Sequence, residues 1–120
     1  MQSLFKTIKE KKMADTSEFK DALAKYTSNI KSAAVDKMAS TYALVMSNKD
    51  AKFVSCGDAS EKETVRENFL KKKLGLSDSD AELDNAIEAV CATMKDDRMK
   101  NRLVFYYLLA EKFNKLGVFA

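Results

Sequence analysis

The run Leu103-Val-Phe-Tyr-Tyr-Leu-Leu-Ala110 is apolar around every side of a helix, and charged residues close it off at both ends: Arg98, Lys100 and Arg102 before it, Glu111 and Lys112 after it. Its eight residues fall far short of the ~20 that cross a bilayer, so burial inside protein is what this composition demands. A helix buried all round needs apolar partners all round, and amphipathic helices elsewhere in the chain supply them. The expected fold class is therefore all-α, a compact bundle of about five helices around a buried C-terminal helix.

Punctuation agrees with that class. The 120 residues contain no proline and only three glycines, Gly57, Gly75 and Gly117, and helices with short links need turn-forming residues less than hairpins do. The length fits one domain with one core. Residues 14–120 are expected to form that helical domain. Residues 1–13 read as a basic N-terminal extension, a weakly ordered arm or a short extra helix, with Leu4, Phe5 and Ile8 among lysines.

Apolar spacing places a first secure helix over about 17–31, on Phe19, Leu23, Tyr26 and Ile30, with Thr16 or Ser17 as its cap. A second runs over about 34–48, on Val35, Met38, Tyr42, Val45 and Met46. The link Lys52–Asp58 could anchor through Phe53, Val54 and Cys56, and no second strand is evident for it to pair with. Ser60 and Glu63 match a capping box opening a third helix, which carries Val65, Phe69, Leu70 and Leu74 and stops at Gly75. A second box, Ser79 with Glu82, opens a fourth on Leu83, Ile87, Val90, Cys91 and Met94. Asp97 is the expected cap of the last helix, which is read as continuing through Phe113 and Leu116 to Gly117.

The chemistry on offer is sparse. Histidine is absent, which removes the usual general base near neutral pH and the commonest metal ligand. Cys56 and Cys91 form no CxxC or zinc spacing. They read as two reduced thiols in a reducing compartment rather than as a disulfide, at least one of them packed as a small hydrophobe. Cys56, beside Gly57 and shortly before a helix, is the candidate reactive thiol. The acids of Asp78-Ser-Asp-Ala-Glu-Leu-Asp84 alternate like the start of a calcium loop. Leu83 and Ala89 stand where that loop needs glycine and a bidentate glutamate, so helix capping is the better reading.

The net charge of +3 is mild, but its distribution is uneven: residues 76–97 sum to −6 and residues 98–120 to +4. Arg66, Lys71, Lys72, Lys73, Arg98, Lys100 and Arg102 form the candidate interaction surface. The lysine run also suits a helix C-terminus, and the bases at 98–102 could equally face the acidic fourth helix. Adjacent Tyr106 and Tyr107 diverge by about 100° around a helix, so at least one is expected in the core with its hydroxyl bonded.

Four segments together resemble a known family: Phe53-Val-Ser-Cys-Gly-Asp58, Val65-Arg-Glu-Asn-Phe-Leu-Lys-Lys-Lys-Leu-Gly-Leu76, Leu83-Asp-Asn-Ala-Ile-Glu-Ala-Val90 and Val104-Phe-Tyr-Tyr-Leu-Leu-Ala110. They resemble a bacterial family of small proteins defined only as domain of unknown function 2853, over roughly residues 18–119. The resemblance implies a bacterial source and a compact helical domain, and it brings no functional residue with it. No catalytic, cofactor-binding or metal residue is assigned, and no cofactor is expected. The first functional reading is a non-enzymatic helical domain acting on an unknown protein partner or as a homodimer. The alternative is a nucleic-acid-associated accessory protein using the bases at 71–73 and 98–102. A third is membrane contact through residues 1–13. The chain lacks a transmembrane or signal-peptide pattern, and the expected location is cytoplasmic.

Overall fold

The computed structural model describes residues 16–119. The readings made for residues 1–13, as an extension or a membrane contact, lie outside them. Among the described residues the fold is mostly α, with a two-stranded sheet at one edge. In chain order the elements are helix α1 over 16–23, α2 Ser32–Thr41, α3 Ala43–Met46, strand β1 Phe53–Val54, α4 Ala59–Thr64 running directly into a π-helix Val65–Lys73, α5 Asp80–Thr93, strand β2 Lys100–Asn101, α6 Arg102–Lys112 and a 3₁₀ turn Leu116–Phe119.

The apolar run takes the central place its composition demands. Every residue of α6 from Arg102 to Ala110 is buried. Phe105, Tyr107, Leu109 and Ala110 are 0 % exposed. Phe19 and Leu23 of α1, Val35 and Met38 of α2, Val65, Phe69 and Leu70 of the π-helix, and Leu83, Ile87 and Val90 of α5 share one core with it.

Several elements differ from what periodicity predicts, each for a physical reason. Helix α1 ends at 23 rather than near 31, because α6 recruits the following chain. The Tyr107 hydroxyl donates to Asn29 O at 2.7 Å and accepts from Lys31 N at 2.9 Å. The Thr27 hydroxyl donates to Glu111 at 2.8 Å. Thr16 and Ser17 are helical residues of α1, not its cap. The second helix breaks at Tyr42, whose ring packs at 5.1 Å from that of Tyr106 and near those of Phe69 and Phe119.

The third helix winds as π because its buried residues fall five apart: Val65 with Leu70, and Phe69 with Leu74. An i→i+5 helix brings such pairs onto one face, and Leu74 N bonds to Phe69 O across that interval at 2.9 Å. Gly75, at φ +69°, ends it as expected, and Leu76 N reaches back to Leu70 O.

Helix caps fall where a side chain reaches a free backbone N–H of the first turn. Ser79 caps α5 as its box predicts, accepting from Glu82 N at 3.2 Å. Asp58, not Ser60, caps α4, accepting from the backbone of Ser60 and Glu61. Asn101, not Asp97, caps α6, accepting from Leu103 N and Val104 N. Asp97 instead accepts from the Tyr26 hydroxyl, and burial together with that carboxylate pushes the Tyr26 phenol up to about 12. The link Lys52–Asp58 does find a partner strand: β1 pairs antiparallel with β2, Phe53 opposite Asn101 and Val54 opposite Lys100. The last helix stops at Lys112, and Asn114, at φ +58°, turns the chain into the 3₁₀ segment that buries Leu116 and Phe119.

The Asp58 cap predicts an acid signature. The Ser60 hydroxyl and the α4 backbone N–H groups hold this carboxyl below its ordinary value. A folded-state pKa below the unfolded one contributes stability that is present above about pH 4 and lost as pH falls through the folded value. Asn caps a helix as well as Asp but does not titrate. Asp58→Asn should therefore lie below wild type in Tm at pH 7, where the charge favours the helix N-terminus, with the gap closing as pH falls below about 4. Thermal unfolding across that range is the measurement.

Candidate functional site

Among the described residues one charged side chain is buried in the hydrophobic framework. Arg102 opens α6 and is only 7 % exposed. A buried guanidinium is tolerated only when its donors are matched, and here they are. Nε donates to Ala51 O, Nη1 to the Tyr106 hydroxyl at 3.0 Å, and Nη2 to Phe53 O at 3.3 Å and to the carboxylate of Glu61. Burial opposes the charge, but the Tyr106 hydroxyl and the Glu61 carboxylate outweigh it and hold the guanidinium pKa above its ordinary value. Arg102 N also bonds Lys52 O at 2.9 Å. One residue thus joins the β1 segment, α4 and α6.

Around this centre lies a shallow hollow of about 380 Å³, lined by Asn48, Asp50, Ala51, Phe53, Ser55, Asp58, Glu61 and Arg102. Its polar groups are largely engaged in holding the chain. Asn48 Oδ1 accepts from Asp50 N and Ala51 N, Asp58 caps α4, and Glu61 answers Arg102. The arrangement can position a loop and present carboxylates to solvent. The Ser60 hydroxyl, at 2.9 Å from Asp58 Oδ1, belongs to the same helix cap.

The structure places the residues expected at an interaction surface in different settings. Arg102 is the clearest correction: it is buried, because a fully apolar α6 leaves its first turn facing the core. Arg66 is tied to Glu67 at 2.8 Å and to Asp84 at 3.1 Å, with Asp80 at 3.8 Å. Lys71 pairs with Asp80 at 2.7 Å and Glu67 at 2.9 Å. The π-helix and α5 are thereby laced together, and two of the acids that resembled a calcium loop, Asp80 and Asp84, serve as partners for these cations. Among the described residues no cluster of three or more His, Cys, Asp or Glu could hold a metal ion. Lys73 lies over the Phe119 ring at 5.3 Å, and Lys100 Nζ donates to Asp97 O. Lys72 and Arg98 are exposed.

Both tyrosines are structural, in line with the expectation for at least one. The Tyr106 ring stacks on Phe69 at 3.9 Å with planes 10° apart, and its hydroxyl receives Arg102. Burial raises its pKa, partly offset by Arg102. Tyr107 closes the loop after α1 and meets the Phe19 ring edge-on.

The expectation of two reduced thiols is overturned. Cys56 and Cys91 are joined in a disulfide with Cα atoms 6.0 Å apart, so Cys56 is not a free reactive thiol. The β1–α4 link and the last turn of α5 lie side by side, a proximity that spacing along the chain could not reveal. The bond joins residues 35 apart, and closing a loop of that length stabilises a fold by about 3–4 kcal/mol in the chain-entropy picture.

Sequence reasoning also missed Glu61, Asp58 and Asn101. The available signal was Arg102 itself, since a cation heading a wholly apolar helix requires a carboxylate somewhere.

A family model described as "Protein of unknown function (DUF2853)" matches residues 18–117. No curated protein matches the chain.

Proposed function

We propose, for a chain that belongs to the DUF2853 family, a function as a small non-enzymatic helical domain that acts by protein contact, a second copy of itself being the first partner to test. The observation that carries this reading is the state of its reactive groups. The Arg102 guanidinium, the Glu61 carboxylate, both core tyrosine hydroxyls and both sulfurs are bonded to other parts of the chain. Groups held in this way support a fold rather than turn over a substrate. What reaches outward includes apolar side chains: Leu44 of α3 is 86 % exposed and Met99, just before β2, 63 %. Side chains of this kind contribute contact area when a partner covers them.

Sedimentation velocity over a wide concentration range tests the reading, with Leu44→Asp as comparison. Reversible association that this substitution weakens is the expected result. A strictly monomeric chain that sediments identically with and without the substitution contradicts the homodimer form.

The nucleic-acid alternative rests on exposed Lys72 and Arg98. With Arg66, Lys71 and Arg102 engaged by carboxylates, few cations at 71–73 and 98–102 remain to release counterions. Any affinity for duplex DNA carried by those two stretches should accordingly fall with salt at a log–log slope no steeper than about −2 to −3. Fluorescence anisotropy against salt measures that slope, and a much steeper one would favour the nucleic-acid reading.

A further inference from the structure

We propose that the Cys56–Cys91 bond is a redox-sensitive latch on the segment joining β1 to α4, opened by a dithiol reductant and closed again by oxidation. Both cysteines are only partly buried, so a thiol arriving from solvent can reach the bond. The two sides of the bond are held very differently. Cys91 sits on α5, which Leu83, Ala86, Ile87 and Val90 anchor in the core. Cys56 sits in a stretch where no residue from Ser55 to Thr64 is buried. Apart from the sulfur, that stretch is held by partial packing of Cys56 on the core, by the Glu61–Arg102 pair, by Lys62 with Glu88 at 2.7 Å and by the run of α4 into the π-helix, at the end of a strand only two residues long.

The exchange balances without any group the protein lacks. One thiolate of the reductant attacks a cysteine sulfur, the S–S bond breaks, and the other cysteine leaves as a thiolate that takes up a proton. The reductant's second thiol then displaces the mixed disulfide. The protein gains two electrons and two protons, and the reductant becomes a disulfide. With the bond open, few buried apolar contacts oppose local opening of residues 55–64, whereas α5 and α6 keep theirs. Glu61 travels with the freed segment, so the reduced form uncovers Arg102.

Hydrogen exchange read by mass spectrometry on the full chain tests this, in oxidised and reduced dithiothreitol buffers with the thiol count followed by alkylation. The expected result is reversible loss and recovery of the bond, with residues 55–64 exchanging at least about tenfold faster in the reduced form and at least about tenfold faster than α6, which remains the most protected element in both states. Cys56→Ala combined with Cys91→Ala should exchange like the reduced form in either buffer. Three results would overturn the proposal. The cysteines could stay reduced under oxidant, or exchange at 55–64 could be the same in both states. Residues 55–64 and α6 could also exchange with the same opening free energy in the reduced form, which would make the bond a staple of the whole fold.

Discussion

Arg102→Met is expected to destabilise the protein by about 3–5 kcal/mol, the loss seen when one partner of a buried ion pair is removed. Methionine fills the stem's space but leaves Glu61, Ala51 O and Phe53 O without their donor, and the Tyr106 hydroxyl without the Nη1 that reaches it. Against a total stability of roughly 5–15 kcal/mol, that loss lowers Tm by roughly 10–20 °C. Arg102→Lys should recover little, since a single ammonium cannot address carbonyls and a carboxylate in the plane a guanidinium spans. Adding Glu61→Met to Arg102→Met should recover part of the loss, because no buried charge is then left alone. Urea unfolding of the three variants measures all of this. A change within about 0.5 kcal/mol for Arg102→Met, the range of an ordinary surface substitution, would return Arg102 to the solvent-facing role its sequence context suggests.

Phe69→Ala should have a comparable effect, about 3–5 kcal/mol. Phe69 is 2 % exposed and lies against Tyr106, Tyr42 and Phe119, so its removal opens a cavity where the π-helix meets α6. Tyr106→Phe separates ring from hydroxyl at the same place. It keeps the stack and deprives Arg102 of one acceptor, with an expected loss of about 1–3 kcal/mol. Chemical denaturation of the pair shows whether packing outweighs the polar contact, and the account requires Phe69→Ala to be the worse of the two.

Those two residues also mark how far the chain could be read before its structure was known. Apolar density decided the largest feature, because nothing but burial suits Leu103–Ala110. Local hydrogen-bonding chemistry decided the Ser79 cap and the stop at Gly75, since the groups involved lie within a few residues of one another. Long-range competition was hidden. The Tyr107 hydroxyl ends α1 from 76 and 78 residues away, and Glu61 meets Arg102 across 41. Neither distance leaves a local trace.

The π-helix shows a related limit. The five-residue spacing of Val65 with Leu70 and of Phe69 with Leu74 suits a π-helix, but four apolar residues in ten also read as the side of an ordinary helix, and the sequence pattern alone does not separate the two. The sheet was hidden because two residues per strand are too few for an alternating pattern. The ion pairs were hidden for an energetic reason: a count of lysines and arginines does not reveal which carboxylates will face them, and Asp80, Asp84 and Glu67 face Arg66 and Lys71.

The central claim is that α6 is the enclosed axis of the molecule. Native-state hydrogen exchange under increasing low concentrations of denaturant tests it most directly. Amides of residues 103–110 should be the slowest in the chain, exchanging only through global unfolding, with the unfolding free energy and its full denaturant dependence. Exchange of those amides as fast as in α3, or insensitive to denaturant, would contradict it.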